Sequence, residues 1–345
     1  MNSKDRVFVA LGSQEPDRVP LLEWEIHPDV IEAISPGSTY EDFVEEFDVD
    51  AVSAYEDIKY RDLSPTEKID HWGIIRDFSK KTSLFWPMPL AGPIKSEKDL
   101  EKYNPPDPHD PRKLATLRRL VKRFKGEKAI AFCVFDSFQW PAFLRDIENF
   151  LMDYVRNPEF AKKVVEITTN YYVELTKHAV DEGADIIWSG DDYCGKSGPL
   201  MSPSHFEEFV LPGMVKVMKA AKEKGAYYIK HCDGYLWPIL DKIVNAGIDA
   251  LNPIQPDAGM DIGEVKKVYG DKICLIGNIE CSHLLTFGSP NKVIKAVKEC
   301  ILQAAPGGGY ILSSSNCIHK SVKPENFLAM IRATKKYGRY PRKIY

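Results

Sequence analysis

His231, Cys232 and Asp233 are three adjacent side chains that can each bind a metal or move a proton. They close the β-rich run Tyr227-Tyr228-Ile229-Lys230, and Gly234 breaks the strand behind them. A second run, Tyr310-Ile311-Leu312-Ser313-Ser314-Ser315, leads into Asn316, Cys317 and His319. Reactive groups at the carboxyl ends of strands are where a (β/α)8 barrel builds its site. Brought together, His231, Cys232 and Cys317 would supply the nitrogen and sulfur ligands that zinc takes, with a fourth position open for catalysis. Glu25, Asp233 or Glu280 could add a carboxylate. Adjacent residues on a strand point to opposite faces. His231 and Cys232 can therefore share a metal only if the strand has already curled at Gly234, whereas His231 and Asp233 share a face without strain. The competing reading takes Cys232 and Cys317 as half-buried small hydrophobes, as free cysteine often is.

Asp191-Asp192-Tyr193 is a second constellation. Paired acids at a strand end serve as base, ligand orienter or hydrogen-bond anchor; alternatively one of them caps backbone in the neighbouring loop. Gly190 and Gly195 let that loop approach a ligand. Around these acids the strand ends contribute Glu23, Trp24, Glu25, Tyr55, Glu56, Asp136, Asn252, Asn278 and Glu280. Trp24, Tyr55 and Tyr193 could wall a substrate, with Glu25, Asn278 and His319 as polar contacts, and Asp191, Asp192, Asp233 and Glu280 as candidate catalytic acids. The set is rich in acids, thiols and imidazoles and poor in Arg and Lys. A phosphate or polyanion would want cations there; this mouth suits a metal cation or a largely uncharged substrate.

The elements that must position these residues are short apolar, β-branched runs separated by helix-period segments. Strands are expected at 19–25, 51–56, 129–135, 185–191, 227–231, 250–254, 273–278 and 310–315. Most are continuous rather than alternating, as parallel strands covered on both faces are. Asn157-Pro158, Ser202-Pro203, Ser289-Pro290 and Pro324-Glu325 each open a helix. Alternating strands and helices argue for an α/β (β/α)8 TIM barrel forming one domain over 1–345, rather than a doubly wound sheet. The stretch of about 60–125 is too long for a plain loop and reads as an insertion between strands two and three that caps the barrel mouth. At 345 residues with 44% hydrophobic and 28% charged residues and a net charge of −4, the chain lacks the basic footprint of a nucleic-acid binder. It has no apolar run of the roughly 18 residues that span a bilayer. Seven cysteines without a CxxC pair fit a reducing cytoplasm better than a disulfide framework.

Several segments together resemble the uroporphyrinogen decarboxylase superfamily: Pro16-Asp17-Arg18-Val19-Pro20, Gly92-Pro93-Ile94, Tyr103-Asn104-Pro105-Pro106-Asp107-Pro108, Gly198-Pro199-Leu200-Met201-Ser202-Pro203, Gly277-Asn278-Ile279-Glu280 and Pro306-Gly307-Gly308-Gly309-Tyr310-Ile311-Leu312. The resemblance implies a TIM barrel and one of two chemistries. True decarboxylases carry an arginine-rich N-terminal motif that grips the carboxylate arms of a porphyrinogen. Here that region is Leu21-Leu22-Glu23-Trp24-Glu25-Ile26-His27, with no arginine and two acids, which would repel a polycarboxylate. The other branch, the corrinoid-dependent methyltransferases, holds zinc with a His-x-Cys pair after strand five and a Cys after strand eight. Aligned without gaps, His231 matches the histidine, but Asp233 and Asn316 fall where the cysteines belong, and Cys232 and Cys317 stand one residue aside. That paired displacement implies a re-registered site. The expectation is a cytoplasmic zinc enzyme moving a methyl group from a small methyl ether, a methoxylated aromatic among the candidates, to the corrinoid of a partner protein. Transfer from methylcorrinoid to a thiol or to tetrahydrofolate, and metal-independent decarboxylation of a substrate smaller than uroporphyrinogen, stay open, as does a homodimer.

Overall fold

The structure, a computed structural model, describes residues 1–79 and 87–340. Its centre is a parallel sheet of seven strands in sequence order: β1 (Ala51–Tyr55), β2 (Ala129–Val134), β3 (Ile186–Ser189), β4 (Tyr227–His231), β5 (Ala250–Asn252), β6 (Cys274–Ile276) and β7 (Tyr310–Ile311). The expected first strand, 19–25, is not a regular strand. Pro20 removes a ladder donor, and only isolated parallel bridges remain, Leu21 to Leu312 and Ile26 to Ile318. The segment still bonds both edges of the sheet: Leu22 N–H donates to Leu312 O (3.2 Å) and Asp50 N–H donates to Leu21 O (2.8 Å). The sheet thus curls until its two edge strands share one neighbour, a TIM-barrel-like arrangement.

Alternation along the strands sorts side chains into two layers. On β2, Ala129, Ala131 and Cys133 join a cluster of small residues enclosed by the sheet, while Ile130, Phe132 and Val134 pack outward among the helices. The N-terminal helix Ser3–Leu11 adds Val7, Ala10 and Leu11 to the enclosed cluster. It sits at the amino ends of the strands, where Lys4 reaches Glu127 O and Asp185. The carboxyl ends are left for the site.

The helices begin as their capping signals suggest, at Pro158, Pro203, Pro290 and Pro324. The segment from Pro203 is less regular than expected. Pro212 offers no N–H to the preceding turn, and the chain widens into a π-turn over Phe206–Val210 before Leu211–Lys222 resumes an α-helix. Between β1 and β2 lie four short antiparallel strands, Arg61–Asp62, Glu67–Ile69, Ile75–Asp77 and Met88–Ala91. Trp86, within this segment, lies outside the described residues. No helix among the described residues is long and apolar enough to cross a membrane.

Candidate active site

A cavity of about 770 Å³ opens at the carboxyl ends of the strands. Trp24, Glu25, Asp192, His231, Asp233, Cys317 and His319 line it, all expected from the sequence. So do Arg76, Trp140, Phe143, Gln255, Cys281 and Phe287, which were not among the expected site residues.

Strand alternation decides the fate of the His-Cys-Asp run. On β4, Ile229 belongs to the enclosed cluster and Tyr228 to the outer one. His231 therefore faces the cavity, and Cys232 falls on the outer side, fully buried, where its Sγ accepts the Tyr193 N–H at 3.2 Å. Asp233 comes back to the side of His231. The structure does not bring His231, Cys232 and Cys317 together as a ligand set. Among the described residues the convergent group at the cavity is Asp192, His231 and Asp233, whose ligand atoms all lie within 4.8 Å of one another. His231 Nε2 is 3.5 Å from Asp233 Oδ1 and 3.8 Å from Asp192 Oδ1. Asn316 joins them, donating from Nδ2 to Asp233 Oδ2. The residues at the ungapped positions, His231, Asp233 and Asn316, converge; the two displaced cysteines do not. Cys317 stays at the cavity wall, its thiol pushed up by burial and then by Glu25.

The imidazole is held in one orientation. Trp24 stacks on it at 4.6 Å and 24°, and Trp24 itself fits because Gly190 has no Cβ, which would lie 2.7 Å from the indole. His231 Nδ1 is 2.5 Å from Asn252 Oδ1. Asn252 spends its amide Nδ2 on Ile276 O and Ser313 Oγ, both at 3.3 Å. Its Oδ1 is thereby the end turned to His231, so Nδ1 carries the proton and the Nε2 lone pair faces the two acids. Burial holds the His231 pKa below its ordinary value, favouring the neutral ring. Burial, followed by the charge of Asp192, pushes the Asp233 carboxyl well up. Asp233 Oδ1 is buried without a hydrogen-bond partner among the described residues. A lone pair and two carboxyl groups converging on one point, with an orphaned oxygen among them, form a donor set that fits a divalent cation, which would favour the ionised form of both acids.

The remaining expected residues hold the frame. Asp191 is fully buried behind the cavity and accepts the backbone N–H groups of Asp136, Ser137, Phe138 and Gln139 at 2.7–3.2 Å. Its neighbour Asp136 faces Lys230 at 2.9 Å, both side chains without exposed surface. Burial opposes the Asp136 charge, but the Lys230 ammonium holds its pKa down at about 2. Tyr193 does not wall the cavity; its hydroxyl donates to Asp136 at 2.6 Å. Glu280 caps the turn Cys281–Leu285 through the N–H groups of Ser282, His283 and Leu284. Asn278 does not line the cavity; it donates to Ile254 O at 2.8 Å and accepts from Cys300 Sγ at 3.2 Å. Tyr55 packs edge-on to Trp24 at 5.7 Å, and burial followed by the Glu25 charge keeps its hydroxyl protonated. A Lys inside an apolar strand was the one sequence signal for the buried Lys230–Asp136 pair.

Arg76 is the only Arg or Lys among the described lining residues. Its guanidinium lies over Trp140 (4.8 Å) and Phe143 (5.4 Å) and is neutralised by Asp70 at 2.6 Å. The cavity is thus aromatic and acidic, with one neutralised cation.

A profile of the family described as uroporphyrinogen decarboxylase (URO-D) matches residues 87–337. The chain belongs to the URO-D family. URO-D relatives of both chemistries are similar to it. A uroporphyrinogen decarboxylase of Dechloromonas aromatica is 26% identical over 226 residues, 64% of this chain and 60% of that protein. A methylated-thiol–coenzyme M methyltransferase of Methanosarcina mazei is 26% identical over 64% of this chain and 57% of its own length. The methylcobamide:CoM methyltransferase MtaA of Methanosarcina barkeri is 27% identical over 56% of this chain and 54% of its own. The chain thus spans a little over half the length of these three curated relatives. A solved methyltransferase from Methanosarcina mazei shares the fold, with TM-score 0.77 and 20% identity over 98% of this chain and 99% of that one.

Proposed function

We propose that this URO-D family member is a methyltransferase that moves a methyl group between a small, largely uncharged methyl donor and the corrinoid of a partner protein. The observation that carries the reading is the convergence of His231, Asp192 and Asp233 in an aromatic, acid-lined cavity. Such a cavity repels a porphyrinogen with many carboxylates. The methyltransferases among the relatives support the same reading.

His231 with Asp192 and Asp233 would hold a divalent cation, zinc in our reading, which supplies Lewis-acid stabilisation to the departing oxygen of a methyl ether. This chain's residues do the rest. Asn252 keeps the proton on His231 Nδ1, so Nε2 remains a ligand. Trp24, Trp140, Phe135 and Phe143 offer flat apolar walls to an aromatic donor. Cys317 and His319 stand at the same wall, where a thiol proton or an imidazole can serve the leaving group. Arg76, Pro87, Met88 and Pro89 bring the insertion to the cavity, where it would cover a bound donor and exclude water. The methyl carbon must remain open on the outer side for an in-line approach by the corrinoid.

The test is methylation of a purified corrinoid protein, followed by its visible spectrum, over a panel of methoxylated aromatics, aliphatic methyl ethers, methylthiols and methylamines. Transfer from an ether supports the reading. Transfer only in the direction of a thiol acceptor reverses the donor and acceptor, and release of CO2 from a small acid without metal overturns it.

A further inference from the structure

Away from the cavity the described residues contain a second convergence of ligand atoms: His109, Glu174 and His178 each bring one within 4.8 Å of the other two. Glu174 and His178 are four residues apart on the long helix Pro158–Asp181, so helix geometry puts them on one face. His109 comes from elsewhere, the segment that follows helix Glu97–Lys102 between β1 and β2. Its backbone N–H donates to Asp107 at 2.9 Å, which fixes the turn that presents the ring. The two rings meet edge to face at 4.6 Å and 88°, with His109 Nδ1 opposite His178 Nε2.

A single shared proton would satisfy two neutral imidazoles, but it leaves the Glu174 carboxylate with Lys177 as its partner at one oxygen. Lys177 pairs with Glu174 Oε1 at 2.7 Å, and the second carboxylate oxygen remains for another partner. Two imidazole nitrogens and one carboxylate oxygen are three ligands of the kind zinc and its neighbours accept, with a fourth position for water. His109 is exposed and the other two are half-buried, so a cation reaches the point from solvent. The site is built from two parts of the chain, 69 residues apart between the histidines. A metal there ties one part to the other.

We propose that His109, Glu174 and His178 form a second divalent-metal site, of zinc class, that clamps the segment around residue 109 onto the long helix. Its task is structural. The chain runs on from His109 to Lys113, which reaches Glu56 at 2.5 Å and the Tyr171 hydroxyl at 2.7 Å. The clamp therefore steadies the return path from the insertion to β2. The proposal is independent of what the cavity does.

The test titrates zinc alone into the chelator-stripped full chain. Calorimetry and metal content after gel filtration are read for wild type, His178→Ala, His109→Gln, Glu174→Gln and His231→Ala. His178→Ala and His109→Gln should each hold one zinc equivalent fewer than wild type. Glu174→Gln should weaken that equivalent at least about tenfold, since even partners one shell further out are worth that much. His231→Ala should keep it, and zinc should still raise its melting temperature. The same zinc stoichiometry in wild type, His178→Ala and His109→Gln overturns the site. His109→Gln alters an exposed side chain, so it decides the matter even where His178→Ala folds poorly.

Discussion

Replacing Asn252 by Leu tests how the imidazole is oriented. The substitution keeps the branched outline of the side chain and removes the Oδ1 that accepts from His231 Nδ1 at 2.5 Å. The two donations lost with it, to Ile276 O and Ser313 Oγ, are long at 3.3 Å and matter less. Losing the hydrogen-bond partner of a ligating histidine costs about 10- to 100-fold in metal affinity. Here Trp24 still stacks on the ring, so the lower part of that range applies, about 10- to 30-fold, or roughly 1.4–2 kcal/mol. The stranded Nδ1–H in a buried ring also lowers folding stability by about 1–3 kcal/mol. Asn252→Asp keeps an acceptor oxygen and should retain the metal. The assay is zinc competition against a chelating dye in a His178→Ala background, with circular dichroism to verify folding. A folded Asn252→Leu chain that binds zinc as tightly as its parent refutes the argument that Asn252 sets the tautomer.

Lys230→Met leaves the fully buried Asp136 without its counter-charge and should destabilise the protein by about 3–5 kcal/mol, read by denaturant unfolding; a change below about 1 kcal/mol would show that the pair is not buried as described. Glu23 is buried and accepts from Ser314 N and Oγ, and burial outweighs those bonds to push its pKa up to about 8. The folded state therefore keeps a proton that the unfolded state loses near its ordinary value, so stability declines as pH rises from about 4.5 to 8 and levels off above. Glu23→Gln should flatten that decline in a melting-temperature series, and an unchanged slope counts against it. Cys317 is half-exposed and Cys232 is fully buried on the outer side of β4. Iodoacetamide should modify Cys317 first, and Cys232→Ser should leave zinc content unchanged; a lost zinc equivalent in Cys232→Ser would return that thiol to the ligand set.

Much of the fold could be read from the chain because parallel strands covered on both faces are mostly continuous apolar runs, and β2 through β7 are so apart from the polar residues at their carboxyl ends. The first stave was harder: Pro20 and the inward turn of Glu23 to Ser314 break a run whose apolar content looks like a strand. The site was half legible. Alternation sets His231 and Asp233 on one face and Cys232 on the other, although sulfur is the softer donor and the more obvious zinc ligand in the sequence. What the sequence alone could not show was convergence between distant strands, which brings Asp192 to His231 and makes Asp191 a backbone anchor. Two neighbouring acids with opposite fates differ only in which side of the strand end they leave from. Arg76 lies between β1 and β2, where nothing local in the sequence says which cavity a side chain will face, and Trp140 and Phe143 lie on the helix Gln139–Arg145 that follows β2, where large apolar side chains look like core.

Whether the acid–imidazole cluster drives methyl transfer is tested most directly by a single-turnover comparison of wild type with Asp233→Asn. With a reactive methyl donor and a reduced corrinoid partner, wild type should methylate the corrinoid, and Asp233→Asn, which keeps shape and removes the ionisable carboxyl group, should be slower by on the order of 100-fold. Equal rates in the two chains would contradict the assignment of the cavity's chemistry to these residues.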